Sequence, residues 1–474
     1  MPLSPEVLAR ATLRVGDDAL HGEALLRRAR AHLGALVARG VSPGDRVGVW
    51  ADGSMNAAVA LVAHALGGVV SVPLNPHAGP RELAHIVRDA APAGVVGDAP
   101  ADLVGLPVMP LGDGPAATLR DLDDDDRPAL VLYTSGTTGA PKGAVLTRAN
   151  LAANLDALAR AWDWSADDAL VHALPMFHVH GLALGLFGPL RRGGRVRVLP
   201  RFDPDALGEA LAGASMLFAV PTMYHRLAEH LEHAPALVSA LARARLLVSG
   251  SAPLPVREHQ RLHARTGRGV VERYGLTETL INTSVRAREG ARPGTVGAAL
   301  DGVAVRLVDD QRATLDVSDD ATLGEVAVRG PNVFAGYLNR PDATAAARDD
   351  DGWFYTGDLA ARAPDGALRI VGRRATDLIK TGGYKVGAGE VEAALLEHPA
   401  VREAAVRGVA DDDLGERIEA WVVLRPEVPC APASLTEHVA SLIAWHKRPR
   451  VVHAVASLPR NAMGKVVKSR LGTG

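Results

Sequence analysis

The segment Tyr133-Thr134-Ser135-Gly136-Thr137-Thr138-Gly139-Ala140-Pro141-Lys142-Gly143 follows directly on the apolar run Leu130–Leu132. Its glycines let the backbone curl closely around an anion, its hydroxyl side chains supply donors, and Lys142 adds a positive charge. It is not a Walker A loop, because the Gly-Lys-Ser/Thr ending is absent. A plain surface loop would explain the composition but not the position after a buried strand, so we predict a phosphate-binding loop.

Upstream of this loop, short apolar runs alternate with helical patterns. We predict strands at Asp45–Ala51, Gly68–Val72, 94–97 and Ala129–Tyr133, with helices at Ala57–Leu66 and Arg81–Ala90 between them. Such alternation is typical of βαβ units. The fold class is therefore predicted to be α/β, with a large N-terminal domain of mostly parallel sheets and flanking helices.

Downstream of about residue 290 the alternation of strand and helix patterns ends. Short β-rich pieces at Gly294–Val308, Gly324–Arg329 and Leu368–Val371, separated by turns, predict a β-rich subdomain. A polar boundary follows, and the last hundred or so residues read as a small α+β C-terminal domain. We predict a large domain at residues 1–372 and a small domain at 378–474, joined by residues 373–377; the family resemblance given below implies that this joint is a hinge and that the small domain is mobile.

Composition excludes several classes. The 474 residues carry 52 basic and 54 acidic side chains, a formal charge of −2, which does not suggest nucleic-acid binding. The single cysteine, Cys430, fits a reducing compartment. The N-terminal segment Met1–Asp18 lacks a signal-peptide core, and Met55–Val72 is interpreted as a buried helix running into a strand rather than a membrane span. We expect a soluble, cytoplasmic protein with no membrane partner and an undetermined oligomeric state.

Four further motifs lie along the chain. Glu272-Arg273-Tyr274-Gly275-Leu276-Thr277-Glu278 offers an aromatic ring for stacking on a base, a hydroxyl for a phosphate, and a carboxylate suited to Mg²⁺. Tyr355-Thr356-Gly357-Asp358 places a carboxylate where it could accept ribose hydroxyls. Arg373 lies at the domain boundary, and Pro459–Lys465 places a lysine on a glycine-containing turn.

Taken together, these segments resemble the adenylate-forming superfamily of acyl-CoA synthetases, luciferases and peptide-synthetase adenylation domains. The resemblance covers roughly residues 20 to 470. It implies ATP and Mg²⁺, a carboxylate that attacks the α-phosphorus to form an acyl-adenylate, and coenzyme A as the acceptor of the acyl group. It also implies that the active site lies between the two domains.

The resemblance assigns the nucleotide and catalytic positions residue by residue. Lys465, Glu278 and Thr277 would be catalytic, and Glu278 and Thr138 would hold Mg²⁺. The positions that would bind ATP or AMP are Thr134, Ser135, Gly136, Thr137, Thr138, Gly139, Lys142, Ser251, Ala252, Glu272, Tyr274, Gly275, Asp358 and Arg373.

The same resemblance implies that the small domain turns about Asp377 between two half-reactions. Turning would withdraw Lys465 and present the other face of the small domain to the adenylate. The positions that would bind coenzyme A are Lys380, Gly382, Gly383, Tyr384, Lys447 and Arg448. This chain departs from many relatives in having Thr376 before the hinge aspartate and Gly389 where a proline is common, which leaves the pivot open.

The acyl pocket in this superfamily is lined by the segments around His178 and before Tyr274. The positions that would contact the acyl substrate are His178, Val179, His180, Ser249, Gly250, Arg273 and Leu276. A guanidinium at residue 273 is costly in an apolar pocket unless it is paired, and a second substrate carboxylate is an ideal partner. Alternatively Arg273 turns away and pairs with Glu272 or another acid in the fold. Independently of this, His178 could have a purely structural role.

The strings PMFHVHGL, VSGSAPLPVREH, ERYGLTETLINTSVR, GPNVFAGYLNRPDAT and PRNAMGKV are particularly similar to malonyl-CoA and methylmalonyl-CoA synthetases. We therefore predict a small dicarboxylic acid as substrate, malonate with methylmalonate tolerated. The alternatives are a synthetase for a monocarboxylic acid, an enzyme that loads a carrier-protein thiol, and a silent nucleotide sensor. A sensor should have lost Lys142, Glu278, Asp358 or Lys465, and all four are present.

Overall fold

Two mixed sheets with parallel centres form the middle of the large domain, as the alternation of strands and helices predicts. The computed structural model describes residues 3–100, 105–112, 114–118, 125–134, 140–374, 377–460 and 466–472. The strands of this part are β1 Thr12–Val15, β2 Asp18–His21, β3 Arg46–Trp50, β4 Val70–Leu74, β5 Val95–Val96, β6 Val108–Met109, β7 Pro128–Thr134, β8 Lys142–Thr147, β9 Ala169–His172, β10 Arg195–Val198, β11 Met216–Ala219, β12 Leu246–Ser249, β13 Val270–Leu276, β14 Leu280–Ser284 and β15 Ala298–Ala299.

The first sheet has the order β15-β14-β13-β12-β11-β9-β10-β1-β2, and its strands from β13 to β1 are parallel. In the second, β7, β4, β3, β5 and β6 are parallel and β8 is antiparallel to β7. The helices that accompany them are α1 Pro5–Leu8, α2 Gly22–Val37, α3 Met55–Gly67, α4 Pro80–Ala90, α5 Arg148–Trp162, α6 Gly188–Arg192, α7 Pro204–Leu211, α8 Pro221–His230, α9 Pro235–Arg243 and α10 Val256–Thr266. A π-helix covers His180–Phe187.

The most apolar helix, α3, is buried between other elements, as predicted. Its first turn is capped by Ser54, whose Oγ accepts the Ala57 N–H at 3.1 Å, and it ends at Gly68 in the left-handed region (φ +72°). The chain then enters β4, so Met55–Val72 is a core helix and strand. Within the described residues, no helix combines the length and apolar character needed to cross a bilayer.

The predicted β-rich subdomain is a four-stranded antiparallel sheet of order β16-β17-β19-β20. Its elements are β16 Ala304–Val308, β17 Gly324–Arg329, β18 Gly336–Tyr337, α11 Pro341–Ala347, β19 Phe354–Arg362 and β20 Leu368–Arg373. The short strand β18 leaves this subdomain and pairs with β8 of the second sheet. Through β18 the subdomain is joined to the strand that follows the phosphate loop.

The C-terminal residues form an α+β unit with its own hydrophobic core. The elements are β21 Leu378–Thr381, β22 Tyr384–Gly387, α12 Ala388–Glu397, β23 Val401–Asp411, β24 Gly415–Leu424, α13 Pro432–Leu442 and β25 Val451–Ala454. Ile379, Val391, Leu395 and Val422 are among the buried side chains of a cluster confined to this unit. The chain is thus an α/β protein in which a small C-terminal unit follows two large sheets.

Candidate functional site: a nucleotide and acyl pocket beside the domain junction

The phosphate loop is the turn of a β-hairpin. β7 and β8 are antiparallel, with Thr134 opposite Lys142, so the strands close the loop at its base. The half-buried Thr134 hydroxyl donates weakly to the Lys142 carbonyl at 3.5 Å. The five central positions, Ser135 to Gly139, lie outside the described residues, and with them Thr138 as a metal ligand.

Lys142 meets a residue that the motif reading did not single out. Its Nζ lies 4.9 Å from the centre of the Tyr337 ring, a cation–π contact that holds the ammonium beside this ring. The Tyr337 hydroxyl donates to Glu278 Oε1 at 2.9 Å. One aromatic side chain therefore spans the predicted phosphate-binding lysine and the predicted magnesium ligand.

Glu278 and Thr277 occupy the tight turn between β13 and β14. A β-bulge lies between Tyr274 and Gly275, and a Cβ at Gly275 would stand 1.8 Å from the Leu280 carbonyl oxygen. Only glycine fits this approach. The turn holds the Glu278 carboxylate almost fully buried, while Thr277 and Leu276 are half-buried at its rim.

The turn predicted to border the adenine is strained and exposed. Ser251 has φ +73°, an unusual conformation for a residue with a side chain, and both Ser251 and Ala252 are exposed. Beneath it, the buried Glu272 carboxylate accepts the Leu254 N–H at 3.0 Å and pairs with His259 Nε2 at 3.0 Å.

The Glu272 side chain is thus engaged within the protein, and nucleotide binding at this position stays a prediction. Both carboxylate oxygens are occupied by the protein, because Glu272 alternates to the face of β13 that packs on α10. Its role is to fix the exposed turn from below. A sequence motif shows which residues are adjacent, but it does not show which face of the strand meets the neighbouring helix.

Tyr274, Asp358 and Arg373 form one hydrogen-bonded group. The Tyr274 hydroxyl donates to Asp358 Oδ2 at 2.6 Å, and Arg373 Nε lies 2.7 Å from Asp358 Oδ1. Asp358 and Arg373 are direct partners on β19 and β20. Burial raises the pKa of the Asp358 carboxyl, and the Arg373 guanidinium opposes that shift. The predicted stacking ring and both predicted ribose contacts thus lie together.

Arg273, on the opposite face of β13, is buried with 6% of its surface exposed. Among the described residues, its Nε and Nη2 atoms have no hydrogen-bond partner. Burial lowers the pKa of this guanidinium to about 10, so it remains charged at neutral pH. The alternative pairing with Glu272 is not formed, because that carboxylate is held by His259.

The surroundings of Arg273 are small or neutral. Gly250 leaves the space in which the guanidinium lies, since a Cβ there would stand 2.4 Å from Arg273 Cζ. His180 is buried with both ring nitrogens unpartnered among the described residues, and burial followed by the charge of Arg273 holds its pKa well below the ordinary value. Ser249 is fully buried, and its Oγ likewise finds no partner in the described part of the chain.

The other two predicted acyl positions lie one step away. His178 and Val179 are half-buried at the start of the π-helix that carries His180, and the His178 ring packs on Phe177 at 4.5 Å between centroids. Since π-helical turns often mark functional sites, this local irregularity supports a pocket at the same place. An unpaired guanidinium, a neutral imidazole and an apolar rim can accept a compact anion.

The predicted coenzyme A positions form an exposed patch on the small domain. Gly382 and Gly383 (φ +56° and +81°) make the turn between β21 and β22, and Tyr384 follows with 55% of its surface exposed. The Tyr384 ring stacks on His446 with 4.0 Å between centroids. The Lys380 side chain is exposed, while its N–H is held by Glu416.

Lys447 and Arg448 differ in their partners: the lysine forms an ion pair, and the arginine stacks on an aromatic ring. Lys447 Nζ lies 2.5 Å from the buried Glu390 carboxylate, so its charge is neutralised. Arg448 instead lies 3.3 Å over the ring of Trp445, which is 66% exposed. Contact of Lys447 with the phosphates of coenzyme A stays a prediction; in the arrangement observed here its charge is already paired with Glu390.

Asp377 lies between β20 and β21, and Lys465 lies outside the described residues. Within the described part of the chain, no cluster of three or more His, Cys, Asp or Glu side chains could cage a metal ion. Glu278 alone still fits Mg²⁺, because this ion usually takes one or two protein carboxylates together with substrate phosphates.

Two family models match the chain on either side of this boundary. The model described as AMP-binding enzyme matches residues 12–338, and the model described as AMP-binding enzyme C-terminal domain matches residues 390–465. A curated relative, malonate–CoA ligase ACSF3, mitochondrial, of Xenopus laevis, is 36% identical over 455 residues, covering 86% of this chain and 78% of that protein. A malonate–CoA ligase of Arabidopsis thaliana is 36% identical, covering 73% and 60%.

Solved structures are similar over almost the full length. A malonyl-CoA ligase ternary product complex with methylmalonyl-CoA and AMP bound is 54% identical, with a TM-score of 0.73 and 97% and 99% of the two chains covered. ATP-bound MatB from Rhodopseudomonas palustris is 36% identical, with a TM-score of 0.89 and 99% and 98% covered.

Proposed function

Because this chain belongs to the AMP-binding enzyme family, we propose that it is an AMP-forming acid–CoA ligase that converts malonate, and also methylmalonate, to the coenzyme A thioester. ATP and coenzyme A are co-substrates, Mg²⁺ is the cofactor, and AMP and pyrophosphate are released. The observation that carries the substrate assignment is the buried guanidinium of Arg273, whose Nε and Nη2 atoms have no hydrogen-bond partner among the described residues.

The first half-reaction needs positioning and charge neutralisation more than covalent chemistry. Tyr274 offers its ring to the adenine, while Asp358 and Arg373 hold the ribose. Lys142 lies at the base of the loop that receives the phosphates, and its charge opposes the charge that develops on the departing pyrophosphate. The substrate carboxylate then attacks the α-phosphorus, and the bond to pyrophosphate breaks.

Magnesium would be held by Glu278 together with the phosphates of ATP, with Thr138 as the second proposed ligand. It supplies neutralisation of phosphate charge. The chain's own contribution is to orient that carboxylate, which it does through the Tyr337 hydroxyl.

Malonate fits the acyl pocket because it has two carboxylates. One must reach the α-phosphorus, and the other can bind Arg273 through paired N–H donors. Acetate or propionate would leave the guanidinium buried and unpaired, so the pocket rejects them strongly. A methyl group on C2 changes no charge and is tolerated. The neutral His180 adds a further hydrogen bond to the same carboxylate.

We further propose a division into a large domain (1–372), a hinge (373–377) and a small domain (378–474). The separate core of the small unit and the two family models on either side of the boundary support it. The 54% identical product complex has a TM-score of 0.73, whereas the 36% identical ATP-bound structure has 0.89. A lower TM-score for the more identical structure is expected when whole domains are oriented differently in the two proteins. The domain orientation of this chain therefore resembles that of the ATP-bound structure more than that of the product complex.

The test is coenzyme A-dependent release of AMP from Mg·ATP, measured across acetate, propionate, malonate, methylmalonate and succinate. Turnover with malonate and methylmalonate alone is the expected result. Turnover mainly with monocarboxylates would keep the reaction class and discard the substrate. No turnover with any free acid would favour a carrier-protein thiol as the acceptor.

Arg273→Ala is the matched variant for this panel. It should lose most of the activity with malonate and none of the activity with acetate, because only the dicarboxylate uses the guanidinium. An unchanged preference for malonate over acetate would refute the role of Arg273. The cytoplasmic location remains a prediction.

A further inference from the structure

The domain junction contains a charged group that the proposed reaction does not use. Lys468 Nζ lies 2.5 Å from Asp377 Oδ1 and 2.6 Å from Glu392 Oε1. Burial by itself lowers the pKa of this ammonium, but the two carboxylates raise it above its ordinary value, so the lysine stays charged. Its side chain is 19% exposed, which makes the contact far less screened than a surface pair.

Asp377 belongs to both sides of the junction. Its N–H donates to the Arg373 carbonyl at 2.7 Å, and its Oδ2 accepts the Arg373 N–H at 2.8 Å. Its own carbonyl accepts the Ala388 N–H at 2.7 Å, which ties it to the first turn of α12. The side chain is therefore anchored to Arg373 at the end of β20, while the backbone beyond Asp377 would move with the small domain.

A rotation about the backbone of Asp377 would separate Lys468 from the carboxylate. Lys468 and Glu392 are both in the small domain, so their own contact survives such a turn, whereas the contact to Asp377 does not. The ion pair exists only when the small domain has the orientation observed here.

The packing around the hinge is close enough to make that orientation specific. A Cβ at Gly389 would stand 2.4 Å from the Val371 carbonyl oxygen, and one at Gly387 would stand 1.8 Å from Val371 Cγ1. The glycine at 389, a departure from many relatives, thus allows α12 to approach β20. Arg369 of β20 also lies 3.3 Å from Glu390 of α12.

We propose that Lys468 is a positioning residue for adenylate formation, which holds the hinge carboxylate and so keeps the small domain in the orientation of the first half-reaction. This inference rests on the proposed function. Because its ammonium is engaged by Asp377 and Glu392, Lys468 acts by favouring one of two domain orientations and not by binding nucleotide or acid. Removing its charge weakens that orientation and leaves the orientation for the coenzyme A step unaffected.

The experiment separates the half-reactions in the full chain. Malonate-dependent exchange of pyrophosphate into ATP, without coenzyme A, reports the first; single-turnover thioester formation after adenylate has accumulated reports the second. For Lys468→Met the exchange rate should fall about tenfold, with the second rate unchanged or higher. Lys468→Arg should retain both rates, since it keeps the charge. Arg417→Met, which removes a pair with Glu419 inside the small domain, is the matched control and should change neither.

Equal losses in both half-reactions of Lys468→Met, or an unaltered exchange rate, would overturn the inference. Asp377→Asn should mimic Lys468→Met, and the double variant should be no worse than either single one, because both remove the same contact. Additive losses would also count against it. Wild-type protein that makes no malonyl-CoA would refute the proposed function instead, so the two failures are distinguishable.

Discussion

Gly250 and Arg273 share one space: a methyl group added to residue 250 would lie 2.4 Å from Arg273 Cζ and 2.5 Å from its Nε. The absence of a side chain at 250 therefore fixes where the guanidinium lies. Gly250 has no positive φ, so the backbone conformation does not require glycine at this position. Glycine is required there because the Arg273 side chain fills the space that a Cβ would occupy.

Gly250→Ala should fold normally but displace the guanidinium by more than 1 Å, which is enough to lose a paired contact with a carboxylate. We expect kcat/KM for malonate to fall roughly 10- to 100-fold, with the KM for ATP nearly unchanged. Gly213→Ala, at a site where an added Cβ meets nothing within 4 Å, is the control. Retention of full malonate activity in Gly250→Ala would show that the guanidinium position is unimportant.

Tyr337→Phe should weaken the use of Mg·ATP. The substitution removes the hydroxyl that donates to Glu278 but keeps the ring under Lys142, so about a tenfold increase in the Mg²⁺ concentration needed is expected, in line with a hydrogen bond to a charged group. Binding of a fluorescent ATP analogue during a Mg²⁺ titration measures it independently of turnover. Tyr355→Phe removes a hydroxyl bonded to Asp349 and should leave the titration unaltered.

When the pH is lowered, the affinity for ATP should be lost at a higher pH than the pKa of an ordinary aspartate would predict. Burial raises the pKa of Asp358, and only the ionised carboxylate can accept both ribose hydroxyls, so binding is lost as the pH decreases through that raised value. Arg373→Met removes the cation that opposes the shift and should move the loss to still higher pH. The measurement is the KM for ATP against pH. Arg374→Met, whose side chain pairs with Glu325 and Asp310, should not move the profile.

Arg448→Met and Tyr384→Ala should raise the KM for coenzyme A severalfold, as expected for an exposed cation and ring meeting a phosphorylated ligand. Pyrophosphate exchange, which needs no thiol, should be unaffected. Lys447→Met should raise that KM less, because Glu390 already neutralises the lysine. If Lys447→Met had the larger effect, the ion pair would have to open during the coenzyme A step.

Much of the fold could be predicted from local sequence. The alternation of apolar runs and helical patterns predicted β3, α3, β4 and α4 within a few residues, and the breakdown of that pattern after residue 290 predicted the antiparallel sheet. The hairpin that carries the phosphate loop was not predicted, since a glycine-rich loop after a strand is equally compatible with a following helix. The pairing of Thr134 with Lys142 depends on β8 forming an antiparallel pair with β7, which the local sequence does not indicate.

The site was predicted unevenly for a similar reason. Tyr274, Asp358 and Arg373 were assigned by the resemblance, and the structure brings them into one hydrogen-bonded group. The protein partners of Glu272 and Lys447 were not predicted, because His259 and Glu390 lie elsewhere in the chain. Tyr337 was missed altogether, although it lies in a quoted string, because no local pattern connects it to Glu278 some sixty residues earlier.

The unpaired guanidinium of Arg273 also has a consequence for the folding equilibrium of the free enzyme. An uncompensated buried charge destabilises a fold by roughly 3–5 kcal/mol, so Arg273→Met should melt at a higher temperature than the wild type when no acid is present. Malonate should raise the melting temperature of the wild type and leave that of Arg273→Met unchanged, and calorimetry without nucleotide checks both. Selectivity for a second carboxylate is then obtained at the expense of thermal stability, and the enzyme without bound acid is less stable than the enzyme with malonate bound.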